Sequence, residues 1–481
     1  GIVITHGHED HTGAIHHLLE VVKAPIYATP LTRGLLEVKL ARNGMASKAM
    51  LNTFNAGDTL EIGPFKVETF HVCHSIPDGV GLGIVTPVGL IVHSGDYKFD
   101  HTPVDGWPSD YAKLAEFGQR GVLALLADST NAERAGWTPS ERVVDAAFDT
   151  VFREAPGRII IASFASLVSR MQQVANAAQR FGRKLAFAGP SMVDNAKIAR
   201  KLGYLDIPEE LMIGIDEAKG RKDQQVVIMC TGSQGEPTSI LGRLSTGTSH
   251  LFDIESGDTV VLSSHPIPGN EENVYRTINR LIERGANVIY ESIAPVHVSG
   301  HASQEEMKLL THLTKPRFFI PIHGELRQLK QHALLAQQVG ISSENTSIAL
   351  NGQVIEFNDG VMRMGELVPS HYVFVDGSGV GDVGPDVMRE REALARDGVV
   401  VVNIQLNHSN GRLQRDPEIL PKGFVVAKDM EWLSGETRKK IGVAVMDNSN
   451  GNLQKRLEDI VGEYLYSETR RRPMVFVNIN R

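Results

Sequence analysis

The chain has 481 residues and 42% hydrophobic content, enough for several cores, so two or three domains are expected. No apolar run approaches the roughly 20 residues a membrane span needs, and the first residues lack a signal peptide's charged start and cleavage site, which predicts a cytoplasmic protein with no membrane association. A net charge of -8 and a pI near 6.2 exclude a wholly basic nucleic-acid-binding surface, so any polyanion must bind in a cleft.

In chain order, the apolar run Gly1-Ile2-Val3-Ile4 delivers Thr5-His6-Gly7-His8-Glu9-Asp10-His11. Alternate residues at a strand end point the same way, so His6 and His8 share a face, while Asp10 and His11 turn back toward a second metal. A single histidine on an apolar face is usually a core residue. Four polar groups crowded into six positions are costly to bury without a cation, so the H-x-H-x-D-H pattern points to metal. Glu9 points away and is expected to support hydrogen bonds. Gly13 to Val22 starts a helix on which His16 and His17 are surface or packing residues. A strand at Ile26-Tyr27-Ala28 and a helix over Leu31 to Arg42 follow. Phe65 to Phe70 alternates, and Leu82 to Thr86 pairs with Leu90 to His93 across Pro87-Val88-Gly89. His71, His93 and His101 are satisfied strand or loop positions, with a supporting role near the ligands as the alternative. Val122 to Ala127 ends on Asp128-Ser129-Thr130-Asn131. Cys73 and Cys230, the only cysteines, read as small buried hydrophobes.

From Thr138 strand and helix alternate, the pattern of a parallel sheet covered by helices. Strands at Arg158 to Ala162, Val226 to Cys230 and Thr259 to Leu262 run into small polar loops that begin Ser163, Thr231 and Ser263. Capping explains each of these loops, yet three converging ones favour an anion. Phe318 to Ile322 delivers His323-Gly324-Glu325, followed by a helix over Leu326 to Gln338. Glycine and aspartate cluster from Asp376 to Pro385 as a linker. Beyond it, Asp386 to Arg396 is helical, Val399 to Gln405 and Phe424 to Ala427 are extended, Leu453 to Leu465 is helical and Met474 to Ile479 is a strand. Arg470-Arg471-Arg472 reads as a solvated turn. No internal repeats or low-complexity segments stand out.

His74 in His74-Ser75-Ile76-Pro77-Asp78, Asp96 after Gly95, and His323 join the first loop as residues at strand ends. The expected ligand assignment is His6, His8 and His74 on one ion and Asp10, His11 and His323 on another, with Asp96 bridging. A nitrogen and oxygen set without thiolate suits two divalent ions, Zn2+ first and Mn2+ second. Such a pair supplies hydroxide at neutral pH for in-line attack on phosphorus.

These motifs, together with Ser163-Phe164-Ala165-Ser166, His297-Val298-Ser299-Gly300-His301 and Pro321-Ile322-His323-Gly324-Glu325, resemble the β-CASP ribonucleases of the metallo-β-lactamase superfamily, most closely the ribonuclease J family. The likeness covers essentially the whole chain. It implies an α/β fold: a metallo-β-lactamase αββα sandwich at 1–140 and 304–367, an inserted β-CASP parallel α/β domain at 141–303, a linker at 368–385, and a small C-terminal α+β dimerisation domain at 386–481. It implies His301 and Asp128 as the acid/base pair, and a nucleotide clamp from Ala165, Ser166, Leu167, His297, Val298, Ser299, Gly300 and His301. The implied function is 5′-to-3′ exonuclease action on single-stranded RNA with a 5′-monophosphate, plus endonuclease action, in RNA maturation and decay. Histidine at position 323 goes with RNA in this family. Implied partners are RNA, further copies in a homodimer or tetramer, and an RNA-degradation complex. The family has further strands before its histidine loop, so a fragment or a misassigned start, with an unpaired edge on the first sheet, is expected here. Calcium seen in some relatives would involve Asp376. The alternatives are a hydrolase of a small ester or thioester, which has no use for the insert, and a catalytically dead RNA-binding paralogue, which requires missing ligands.

Overall fold

A computed structural model describes residues 1–377, 379–425, 427–447 and 452–480. It forms two compact units, Gly1–Val368 and Pro369–Arg481. The first opens with β1 (Ile2–Val3), the short α1 (Glu9–Thr12), α2 (Ile15–Val21), β2 (Ile26–Ala28), α3 (Pro30–Arg42) and β3 (Leu51–Thr53). Pro30 stands at the first turn of α3, where its missing N–H costs nothing. The three strands pair in parallel in the order β1-β2-β3, which leaves β1 at an edge. Ile15, Leu19, Leu36 and Leu40 of the helices cover one face. On the other, Val3 and Tyr27 meet Phe54, Val67, Val80 and Leu82. Those partners belong mostly to a second sheet begun by β4 (Thr59–Ile62), β5 (Phe65–His71), β6 (Val80–Thr86) and β7 (Gly89–His93). After α4 (Tyr111–Arg120) it continues with β8 (Val122–Asp128). β6 and β7 pair antiparallel across the Pro87-Val88-Gly89 turn, as expected.

The insert then runs through α5 (Val143–Glu154), β9 (Ile159–Ala162), α6 (Val168–Arg180), β10 (Lys184–Ala188), α7 (Pro190–Lys201), α8 (Ile215–Lys219), β11 (Val226–Cys230), α9 (Ile240–Thr246), β12 (Thr259–Leu262), α10 (Glu271–Glu283) and β13 (Asn287–Ile289). Its five strands are parallel, in the order β10-β11-β9-β12-β13. Helices α5, α6 and α7 cover one face, and α8, α9 and α10 the other. Covering both faces buries every residue of β9, β11 and β12, which is why these strands are apolar but for Thr259. One core also takes residues from outside the insert: Leu31 of α3 and Ile76 of the loop after β5.

The chain returns through α11 (Gln304–Thr314), β14 (Phe318–Ile322), α12 (Leu326–Gln338), β15 (Gln353–Asn358) and β16 (Val361–Leu367). A capping box between Ser303 and Glu306 starts α11. β14 pairs in parallel with β8 and completes the sheet order β14-β8-β7-β6-β5-β4. Met307, Leu310 and Leu335 of α11 and α12 join Leu114 and Phe117 of α4 on its outer face, which completes the αββα sandwich. The β15–β16 hairpin packs Ile355, Phe357 and Met362 against Phe318 and Ile320. Strands β5, β7, β8 and β14 all end at one edge of this sheet.

The second unit contains β17 (Val375–Asp376), β18 (Gly379–Val380), α13 (Pro385–Asp397), β19 (Val399–Gln405), β20 (Glu418–Lys422), α14 (Ala427–Met446), α15 (Leu453–Thr469) and β21 (Met474–Asn480). The stretch read as a linker holds the β17–β18 pair. β19 alternates strictly and packs Val400, Val402 and Ile404 against Ile441, Leu457 and Val461. One expectation is corrected. The extended segment is Glu418–Lys422, not Phe424 to Ala427, because Pro421 is tolerated on the edge strand β20. Phe424 instead buries itself in the core and Ala427 opens a helix; Val426 lies outside the described residues. The long α14 went unpredicted, since Gly435 and Gly442 interrupt its pattern.

Candidate metal centre

The seven proposed ligands come together where β1, β5, β7 and β14 end. His6 and His8 lie on the extended turn after β1, and Asp10 and His11 on the one-turn helix α1. His74 is in the loop after β5, Asp96 in the turn after β7, and His323 directly follows β14. Gly95 aims Asp96: its φ is +62°, and a β-carbon there would lie 2.5 Å from the Val80 carbonyl oxygen, which only glycine avoids. His93 Nδ1 accepts the Gly95 amide at 3.0 Å, so it supports the turn and is not a ligand.

Ligand atoms of His6, His8 and His74 lie within 4.8 Å of one another, as do those of Asp10, His11, Asp96 and His323. Asp96 Oδ2, a member of the second set, also approaches the first. It stands 3.5 Å from His6 Nε2, 3.9 Å from His74 Nε2, 3.2 Å from His11 Nε2 and 3.6 Å from His323 Nε2. The far side of the rings sets their tautomers. His74 Nδ1 donates to the Gly300 carbonyl at 2.7 Å, which leaves Nε2 with its lone pair facing inward. Thr130 Oγ1 donates to Asp128 Oδ1 at 2.7 Å and accepts from His323 Nδ1 at 3.0 Å, so Nε2 of His323 also faces the cluster.

Burial and the neighbouring rings hold His6 well below its ordinary pKa, and burial brings His8 down to about 3. Both stay neutral, with lone pairs available. His6 Nε2 is buried with no hydrogen-bond partner, a costly state unless a cation accepts its lone pair. The carboxylate side shows the complementary demand. Burial opposes charge on His323, yet hydrogen bonds to Asp10 and Asp128 push its pKa up to about 11. Hydrogen bonding to His323 in turn holds Asp10 well below the carboxylate range. Neutral imidazoles converging beside three carboxylates that call for positive charge fit a divalent metal.

Next to this cluster Asp128, fully buried at the end of β8, accepts from His301 Nδ1 at 2.7 Å. The His301 segment is hooked in place from outside the insert: its carbonyl accepts from Asn131 Nδ2 at 3.0 Å and from Thr138 Oγ1 at 2.7 Å. Asn131 also donates to Ser299 Oγ at 2.8 Å.

Known proteins carry the same layout. The β-lactamase superfamily domain matches residues 1–106, the ribonuclease J β-CASP domain 156–281, the Zn-dependent metallo-hydrolase RNA specificity domain 285–346, and the ribonuclease J C-terminal domain 386–481. Ribonuclease J of Thermus thermophilus is 43% identical, over 98% of this chain and 83% of its own length. Ribonuclease J of Synechocystis is 42% identical over 99% and 77%, and ribonuclease J2 of Bacillus subtilis 39% over 98% and 86%. The chain belongs to the ribonuclease J family.

Family likeness groups Ala165, Ser166, Leu167 and residues 297–301 as a nucleotide clamp, and the structure separates them by what each has free. The amides of Ala165 and Ser166 make no protein hydrogen bond among the described residues, whereas that of Leu167 is taken by the Phe164 carbonyl at 3.2 Å. Leu167 and Val298 bury their side chains, Val298 in the core of the insert. Gly300 spends its carbonyl on His74. His297 keeps a buried Nδ1 with no partner, and burial next to Arg170 brings its pKa to about 3.

Several other histidines have partners of their own: His71 stacks on Trp107 and bonds the Pro108 carbonyl, His101 meets Tyr111, and the rings of His16 and His17 meet at a tilt, 3.8 Å apart. Glu9 pairs with Lys39 at 2.5 Å. Both cysteines are buried and free. Asp376 is engaged by Arg391 at 2.6 Å.

A buried ion network underlies the centre and went unread in the sequence. Glu141 accepts from Arg170 Nη2 at 2.8 Å and lies 3.4 Å from Lys98 Nζ, which is 3.6 Å from Asp100. Among the described residues no helix is long and apolar enough to cross a membrane.

Proposed function

We propose that this chain degrades single-stranded RNA from a 5′-monophosphate end and also cuts internally, using two divalent ions, zinc or manganese. As a ribonuclease J family member with a β-CASP insert and a histidine–aspartate metal site, it is a metal-dependent ribonuclease. The observation that carries the reading is the Asp128–His301 contact of 2.7 Å beside a complete ligand cluster. His6, His8 and His74 would hold one ion and Asp10, His11 and His323 the other, with Asp96 shared. When bound, these ions acidify water for attack on phosphorus and offset the phosphate's charge.

Asp128 fixes the His301 tautomer by accepting from Nδ1, so Nε2 is the atom that exchanges a proton with the leaving oxygen. Burial opposes charge on His301, but Asp128 outweighs it and raises the pKa above the ordinary value. This favours the protonated form as donor. The free amides of Ala165 and Ser166, just ahead of the helix α6, support binding of a phosphate behind the cut. With every ligand present, a dead paralogue loses its rationale, and a small ester would leave the insert without a task. The same family likeness motivates a homodimer or tetramer acting in the cytoplasm, and domain limits at 1–140, 141–303, 304–367 and 386–481.

The test compares 5′-monophosphorylated, 5′-triphosphorylated and circular RNA, with single-stranded DNA as control, for wild type and His301→Ala. Mononucleotides released preferentially from monophosphorylated RNA, cleavage of the circle, and loss of both in the variant are expected. Unchanged turnover in His301→Ala would reject the proton-transfer role.

A further inference from the structure

The loop that carries His74 ends on Asp78, a carboxylate with no part in the chemistry above. Asp78 is 2% exposed and sits at φ +73°, a left-handed conformation uncommon outside glycine, asparagine and aspartate. Its Oδ2 accepts the Leu31 amide at 2.8 Å, one of the first-turn N–H groups of α3 that have no partner within the helix. The hydroxyls of Thr29 and Tyr204 interact with the same carboxylate. Tyr204 follows α7 and packs against the core of the insert. Between Asp78 and His74, the Ser75 carbonyl accepts from Ser169 Oγ of α6 at 3.2 Å, and Ile76 is 1% exposed inside that same core.

The His74 ring is thus held from one side by Gly300, and its loop from the other by α3 and the insert. Burial pushes the Asp78 carboxyl up to about 6, so its charge at neutral pH is kept against a folding penalty.

We propose that Asp78 is a positioning residue: by tying the His74 loop to the start of α3 and to Tyr204, it sets how His74 presents Nε2 to its metal. The proposal rests on the reading that His6, His8 and His74 hold a divalent ion. It links docking of the β-CASP insert to the strength of the metal site.

Cobalt(II) titration of the metal-free full chain, read by visible absorption and chelator competition, tests it alongside steady-state RNA cleavage and thermal unfolding. Asp78→Ala should weaken cobalt binding about 10-fold and lower kcat by a similar factor, with KM changed less than about two-fold. Asp78→Asn keeps an acceptor for Leu31 and tolerates the positive φ, and should bring cobalt affinity back to within about three-fold of wild type. Should Asp78→Ala fail to fold, Tyr204→Phe, which removes only the insert's hydroxyl facing Asp78, should still weaken cobalt binding about three-fold. Unchanged cobalt affinity in Asp78→Ala, or in Tyr204→Phe where that variant stands in, overturns the positioning role and leaves the ribonuclease reading intact. A wild-type chain that takes up no cobalt overturns both.

Discussion

Replacing Asp128 with asparagine should cripple turnover even at saturating metal. The carboxylate is fully buried and holds two imidazoles, His301 at 2.7 Å through Oδ2 and His323 at 3.3 Å through Oδ1. A charge-assisted hydrogen bond contributes about 1.5–3 kcal/mol, and the longer contact belongs at the low end of that range. Asparagine also presents an N–H₂ group to one ring, which disfavours the tautomer that keeps Nε2 of His301 available for the proton. Together these losses come to roughly 3–5 kcal/mol of transition-state stabilisation, or about two to four orders of magnitude in kcat. Single-turnover cleavage of a 5′-monophosphorylated oligonucleotide at saturating metal, with metal content measured on the same sample, would report it. A kcat within about five-fold of wild type at full metal content would refute the argument.

Two more substitutions probe the support of the centre. A β-carbon on Gly300 would lie 2.8 Å from both His74 Nδ1 and the Ser75 amide nitrogen, so Gly300→Ala should displace His74 and weaken zinc binding about 10–100-fold; competition with a chromogenic chelator measures it, and wild-type affinity would contradict it. Glu141→Gln leaves the buried Arg170 without a carboxylate, while Lys98 keeps Asp100 at 3.6 Å, and should cost about 3–5 kcal/mol by denaturant unfolding; a loss under about 1 kcal/mol would show the network to be solvated.

The first metal loop was legible because its donors fall within six positions and the strand it follows is brief, so local geometry alone groups them. The strands Ile26–Ala28, Val226–Cys230, Thr259–Leu262 and Phe318–Ile322 and the helix Leu326–Gln338 stand where apolar periodicity put them. What stayed hidden is non-local. Nothing near Gly300 announces that its carbonyl orients His74, and Lys98, Glu141 and Arg170 are common residue types with no pattern until the fold brings them into contact. Asn131 and Thr138 hook the His301 segment from far away in sequence for the same reason. Membership of a motif also overstated some residues: Leu167 and Val298 lie among functional neighbours but bury their side chains, because a segment that delivers one side chain to a cleft must anchor others beneath it.

Leu31 and Ile76 have their own consequence, since each is essentially inaccessible to water within a core otherwise made by the insert. Cut out as an independent piece, the β-CASP segment would carry an open notch where two aliphatic plugs had been, at about 1.5–3 kcal/mol apiece. It is therefore not a portable cassette, and a graft onto another scaffold would need to bring a matching pair of plugs with it.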